Sequence, residues 1–223
     1  MIDAEWWEYD EAEELAEAVS GDIAYIIGQA LEARGAAMIA LPGGALAAPV
    51  LAELAGSDVE WRDVTILPTH DRLVAPTDAA SITGQLARVF LPKKARVLPL
   101  AAGEADAQAA GRAADARIAD LAWPLDAACL TVTADGGVAG IAPGADLEAA
   151  IAGPRARRAI GTSAGVTLTG PALLSARTVT LILSGKAERA IVETALKQGA
   201  ASPLPIGRLL AELDMDIDIH WCA

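Results

Sequence analysis

The chain has 223 residues, 53% of them hydrophobic, enough to bury a core within a single domain spanning residues 1–223. A formal charge of −13 excludes a protein that grips nucleic acid through broad phosphate neutralisation, which needs clustered Lys and Arg. It leaves room for a small anionic ligand, because one Arg and a helix N-terminus make a local site positive.

In chain order, Asp3, Glu5, Glu8 and Asp10 surround Trp6 and Trp7, the reverse of a basic segment followed by an apolar run, so no secretory leader is expected. The acidic run over residues 3–14 reads as a solvated helix start, where negative charge complements the helix dipole. Residues 11–34 place Leu15, Val19, Ile23, Ile26, Ile27, Ala30 and Leu31 on one helical stripe, closed by Gly35. Ala36 to Leu41 is a short buried strand running into Pro42-Gly43-Gly44, and Ala45 to Ala55 returns to helical spacing. Val64 to Leu67 is the next strand, Thr69 to Ala80 a polar loop, Ser81 to Leu91 a helix and Ala95 to Leu100 a third strand.

Glu104 to Leu121 follows as an Ala-rich helix, Ala127 to Thr133 as a strand and Ala134 to Ala145 as a Gly-rich loop. Arg157 to Ile160 and Val166 to Thr169 read as short strands about a turn at Gly165, and Pro171 to Ala176 as a turn of helix. Thr178 to Ser184 is a strong strand, Ala187 to Lys197 a helix ended by Gly199, and Met215 to Trp221 alternates as an edge strand. Strands alternating with helices predict an α/β, Rossmann-like fold, a largely parallel sheet with helices on both faces and ligands at the strand carboxyl ends. No apolar stretch approaches the roughly 20 residues of a membrane span, so a cytoplasmic protein with no membrane partner is expected. Cys129 and Cys222 are read as reduced thiols, with no disulfide framework and no Cys-based zinc site. The five tryptophans are scattered and fit helix–sheet packing better than sugar stacking.

Several segments keep a shared order and spacing: Leu41-Pro42-Gly43-Gly44; Glu60 to Thr65 leading into His70-Asp71-Arg72-Leu73-Val74; Leu125-Asp126, then Asp135-Gly136-Gly137 and Pro143-Gly144; and Val166-Thr167-Leu168-Thr169 with Pro171 to Arg177. Across nearly the whole chain these resemble the 6-phosphogluconolactonase family, relatives of the glucosamine-6-phosphate deaminases. The resemblance implies the phosphosugar isomerase/lactonase scaffold, hydrolysis of a phosphosugar lactone in the pentose phosphate pathway, and neither metal nor cofactor. It also implies substrate contacts at Gly43, Gly44, Arg72, Gly136 and Gly137, where the ligand is a phosphosugar or another anion.

The pattern departs from the family at several of these places. The family's Asp-Gly-His acid/base histidine falls at Gly137, which cannot move a proton, and loss of a general base costs roughly 10²–10⁴-fold in rate. The phosphate-loop hydroxyls fall at Pro42, Ala45 and Leu46, an Arg at Gly165 and a Lys at Glu188, with Lys186 and Arg189 close by in sequence. His70, Asp71 and Asp135 are therefore the candidate catalytic groups of a rebuilt site. Each also has a plain reading: His70 a solvated loop histidine, Asp135-Gly136-Gly137 a tight turn, Gly43-Gly44 a strand-to-helix turn, and Arg72 an ion pair with Asp71 or Asp78. A protein that binds a phosphosugar without turning it over is the alternative function. The sequence carries no sign of its oligomeric state.

Overall fold

The structure, a computed structural model, describes residues 4–104 and 106–223. Strand β1 (Ala4–Tyr9) leads into α1 (Ala12–Arg34), which buries Leu15, Val19, Ile23, Ile27 and Ala30 along one stripe. Then come β2 (Ala37–Leu41), α2 (Ala47–Gly56), β3 (Val64–Pro68), the two-residue β4 (His70–Asp71), α3 (Ile82–Phe90) and β5 (Arg96–Val97). The second half runs α4 (Ala107–Ile118), β6 (Ala127–Thr131), α5 (Leu147–Ile151), β7 (Ala159–Thr162), β8 (Gly165–Leu168), α6 (Gly170–Leu173), β9 (Thr178–Ser184), α7 (Lys186–Gln198), α8 (Pro205–Ala211) and β10 (Ile217–Cys222).

Seven strands form a parallel sheet in the order β1-β10-β9-β6-β2-β3-β5. Its central strands are apolar on both faces, as burial between two helical layers requires. Ala37, Ile39 and Leu41 of β2 meet α1, α2 and α3 on one side. Met38 and Ala40 face the opposite core, built with α4, α7 and α8. Cys129 and Cys222 are buried free thiols, and burial pushes the Cys129 thiol up to about 12. Among the described residues no helix is long and apolar enough to cross a membrane.

Three expectations change. The acidic run is not a helix start over most of its described length, because Ala4–Tyr9 pairs in parallel with β10 and makes the edge strand; Asp3 lies outside the described residues. Consequently β10 is interior, with Ile217 and Ile219 in one core and Cys222 in the other. The loop expected from Thr69 onward contains a strand: β4 joins β8 and β7 in a second, antiparallel sheet of order β4-β8-β7. That small sheet positions the site.

Candidate active site

Crossovers run outward from β2 to β3 and β5, then reverse and build β6, β9 and β10 on the other side, so the topological switch lies between β2 and β6. The crevice at the carboxyl ends of such strands is where an open α/β sheet takes its ligand. The turn after β2 carries Gly43 and Gly44, and the loop after β6 carries Asp135, Gly136 and Gly137. The third wall is β4. Thr69 N donates to Leu41 O at 2.9 Å and Leu168 N donates to Thr69 O at 2.9 Å, so the backbone steps from the large sheet to the small one at Thr69.

His70 follows immediately. Its Nδ1 lies 3.1 Å from Thr69 Oγ1, and its ring rests on Gly140, where a Cβ would stand 2.6 Å from His70 Cγ. Thr167, paired with His70 across the small sheet, donates its hydroxyl to Ala139 O at 2.6 Å and ties β8 to the same loop. Burial pushes the imidazole down to about 4, with the Asp71 charge opposing the shift and Arg72 adding to it. At neutral pH the ring is therefore uncharged, and in the tautomer that gives Nδ1–H to Thr69 Oγ1 its Nε2 offers a lone pair.

Asp71 occupies a different role from its neighbour. It is 2% exposed, and its carboxylate accepts from Arg72 N and Ile82 N at 2.8 Å, from Thr83 N at 2.9 Å and from Ser81 Oγ at 3.3 Å. It fastens the first turn of α3 to β4, with both carboxylate oxygens engaged inside the protein. Arg72 is exposed, and among the described residues its guanidinium has neither an ion pair nor a hydrogen bond, with Asp71 and Asp78 included.

Asp135 is exposed at a tight turn closed by Gly136 N to Thr133 O at 2.8 Å and Thr133 N to Gly137 O at 2.9 Å. The Thr133 hydroxyl, at 2.5 Å, and the Gly137 N–H, at 3.1 Å, hold its carboxyl below the usual range, so it is an ionised acceptor. The N–H groups of Gly136 and Gly137 are thus both in use within the turn. A Cβ on Gly137 would meet Thr133 Oγ1 at 2.7 Å, so the hydroxyl fills the space where a side chain would leave the backbone. At Gly165 the closure is harder: φ is 137°, and a Cβ would stand 2.2 Å from Asp71 O. No arginine fits there with β4 in this place.

At the other expected positions, Glu188 folds back over Gly185 with its Oε2 2.9 Å from where a Cβ would be. Arg189 turns away to Glu8 at 2.8 Å and Glu193 at 2.9 Å, while Lys186 stays exposed on the first turn of α7. The glycine turn after β2 holds a group the sequence reading did not single out. Gly44 N donates to Gln85 Oε1 at 2.8 Å, and Gln85 Nε2 donates to Ala79 O at 2.9 Å. Gln85 is a polar residue between buried Gly84 and Leu86, a weak signal that became meaningful only once α3 was placed beside the turn. Thr69 and Thr167 were equally silent, since each acts through backbone groups far away in sequence.

Contacts thus run from Gly43 and Gly44 through α3 and Asp71 to His70 and the Asp135 loop. Residues 10–219 match the model of the family described as glucosamine-6-phosphate isomerases/6-phosphogluconolactonase. A 6-phosphogluconolactonase of Pseudomonas putida is 30% identical over 225 residues, 96% of this chain and 91% of that one. One of Mesorhizobium japonicum is 29% identical over 229 residues, covering 97% and 94%. A crystal structure of a 6-phosphogluconolactonase from Shewanella baltica superposes with a TM-score of 0.90 over 99% of this chain and 98% of that one, at 24% identity, which speaks for the fold. With the sheet order, the turn after β2 and the β8–α6 signature all in place, the chain belongs to the glucosamine-6-phosphate isomerase/6-phosphogluconolactonase family.

Proposed function

We propose that the protein is a cytoplasmic hydrolase that opens the ring ester of a phosphosugar lactone, 6-phosphogluconolactone first, from a single domain and with an acid/base set rebuilt around His70. The observation that carries this reading is the neutral His70 imidazole beside the Asp135 loop, at the carboxyl-end crevice of a chain whose relatives bear the lactonase name. In the proposed step His70 Nε2 takes a proton as water adds to the lactone carbonyl. The tetrahedral intermediate then collapses, the ring C–O bond breaks, and the imidazolium returns the proton to the departing oxygen. Arg72 is the one exposed cation of this set and is assigned to the substrate's phosphate. Asp71 positions β4 against α3, and ionised Asp135 accepts from a sugar hydroxyl or orients the water.

The second reading, binding without turnover, is favoured by Gly137 and by the internal use of the Asp71 carboxylate and the Gly136 and Gly137 N–H groups. Acid release from freshly generated 6-phosphogluconolactone separates the two. Turnover above the spontaneous rate that is lost in His70→Ala supports the hydrolase, and a rate equal to the spontaneous one leaves the binding protein.

A further inference from the structure

We propose that Gln85 is a built-in occupant of the glycine turn after β2, standing where an anion would sit, so that the enzyme accepts sugar lactones without a phosphate nearly as well as those that carry one. This rests on the lactonase reading above and specifies its substrate class.

A glycine turn between a strand and a helix binds anions because its N–H groups point outward into one concavity. Here Gly44, at φ 94°, aims its N–H at the Gln85 carboxamide oxygen 2.8 Å away. The amide is held in that sense from its other end, since Nε2 donates to Ala79 O at 2.9 Å, and the reverse orientation would oppose donor to donor at Gly44. Gln85 Oε1 also lies 2.7 Å, and two Ile82 carbons 3.0 Å, from where a Cβ on Gly43 would be, so the inner side of the turn is filled. Pro42, Ala45 and Leu46 bring no hydroxyl, and Pro42 has no N–H. A phosphate entering the turn must displace an existing hydrogen bond and finds no side-chain donor on the turn itself. The cation assigned to the phosphate in the lactonase reading is exposed Arg72, and a solvent-exposed ion pair contributes about fivefold at most.

The test pairs two measurements on the full chain. In the first, kcat/KM is measured for 6-phosphogluconolactone and for unphosphorylated δ-gluconolactone in wild type, Gln85→Ala and Gln85→Glu. The wild-type preference for the phosphorylated lactone is expected to stay within about tenfold. Freeing the Gly44 N–H in Gln85→Ala should raise that preference about threefold to tenfold, the net worth of one hydrogen bond, while the carboxylate of Gln85→Glu should lower it. In the second, the Gly44 amide resonance is followed during titration with inorganic phosphate; it should move in Gln85→Ala and stay fixed in wild type. A wild-type preference of a thousandfold, or a wild-type Gly44 amide that moves with phosphate at millimolar concentration, overturns the proposal. If neither lactone is turned over, the lactonase reading fails by itself, and the amide titration still decides whether Gln85 blocks the turn.

Discussion

The two ends of the sheet use arginine in opposite ways. At the β1 edge, Arg189 lies over the rings of Trp6, at 5.1 Å, and Trp221, at 4.5 Å, with its edges on Glu8 and Glu193. Two rings and two carboxylates thus meet that guanidinium, so it serves as a clasp between β1, β10 and α7. Arg72, at the carboxyl-end crevice, has no such partner among the described residues. The contrast extends to the other polar groups of the crevice. Asp71, Gly44, Gly136 and Gly137 are hydrogen-bonded internally, as the Arg189 clasp is, whereas His70 Nε2 and Arg72 stay available. Family membership alone does not make a group a substrate contact; it must also be free to bind.

The sharpest way to break this division is at His70. His70→Ala should lower kcat/KM for lactone hydrolysis by roughly 10²–10⁴-fold, the range for a lost general base. Because burial holds the imidazole at about 4, wild-type kcat/KM should stay level from pH 8 to about 5 and fall only as pH nears 4. A fall centred near 6.5 would mean that His70 keeps its ordinary affinity for the proton or that another group carries it. The same shift has a stability sign: the unfolded histidine binds its proton first, so stability falls as pH drops from the ordinary 6.5 towards 4. Urea midpoints at pH 7 and pH 4.5 should therefore converge in His70→Gln relative to wild type; His220, also lowered by burial, remains in both proteins.

Asp71 should report on stability instead. Asp71→Ala strands the N–H groups of Arg72, Ile82 and Thr83, two of them in the first turn of α3, and should cost about 3 kcal/mol or more by urea denaturation. If Asp71→Asn were to abolish turnover while keeping the urea midpoint, Asp71 would belong with His70 as a reacting group. Smaller again is Arg189→Ala, expected to lower the urea midpoint slightly through the lost ring stacking and ion pairs, with KM unchanged.

What was legible in the sequence follows the same division. The stripe of α1, the apolar runs of β2 and β9 and the Val166 to Thr169 signature declare themselves through local periodicity, because one residue's burial predicts the next. The edge was misplaced because Glu5 and Glu8 alternate with Trp6 and Tyr9 in a run acidic enough to pass for a helix start; the pairing partner, β10, lies more than two hundred residues away. In the crevice, His70 and Arg72 could be nominated by residue type. The capture of Asp71 by α3 and of Gly44 by Gln85 depends on how helix and strand are set side by side, and neither leaves a periodic trace.

The smallest expected effect is at Arg72, and it completes the comparison with Arg189. An exposed guanidinium without protein partners holds nothing together, so Arg72→Ala should leave the urea midpoint unchanged within about 0.5 kcal/mol. Against 6-phosphogluconolactone the same variant should raise KM by about fivefold, the scale of a solvent-exposed ion pair, with kcat nearly unchanged because the phosphate lies away from the reacting carbonyl. Unphosphorylated δ-gluconolactone should show no change. If KM rises equally for both lactones, Arg72 contacts the sugar rather than the phosphate; if kcat falls instead, the guanidinium acts on the developing oxyanion and stands beside His70 in the chemistry.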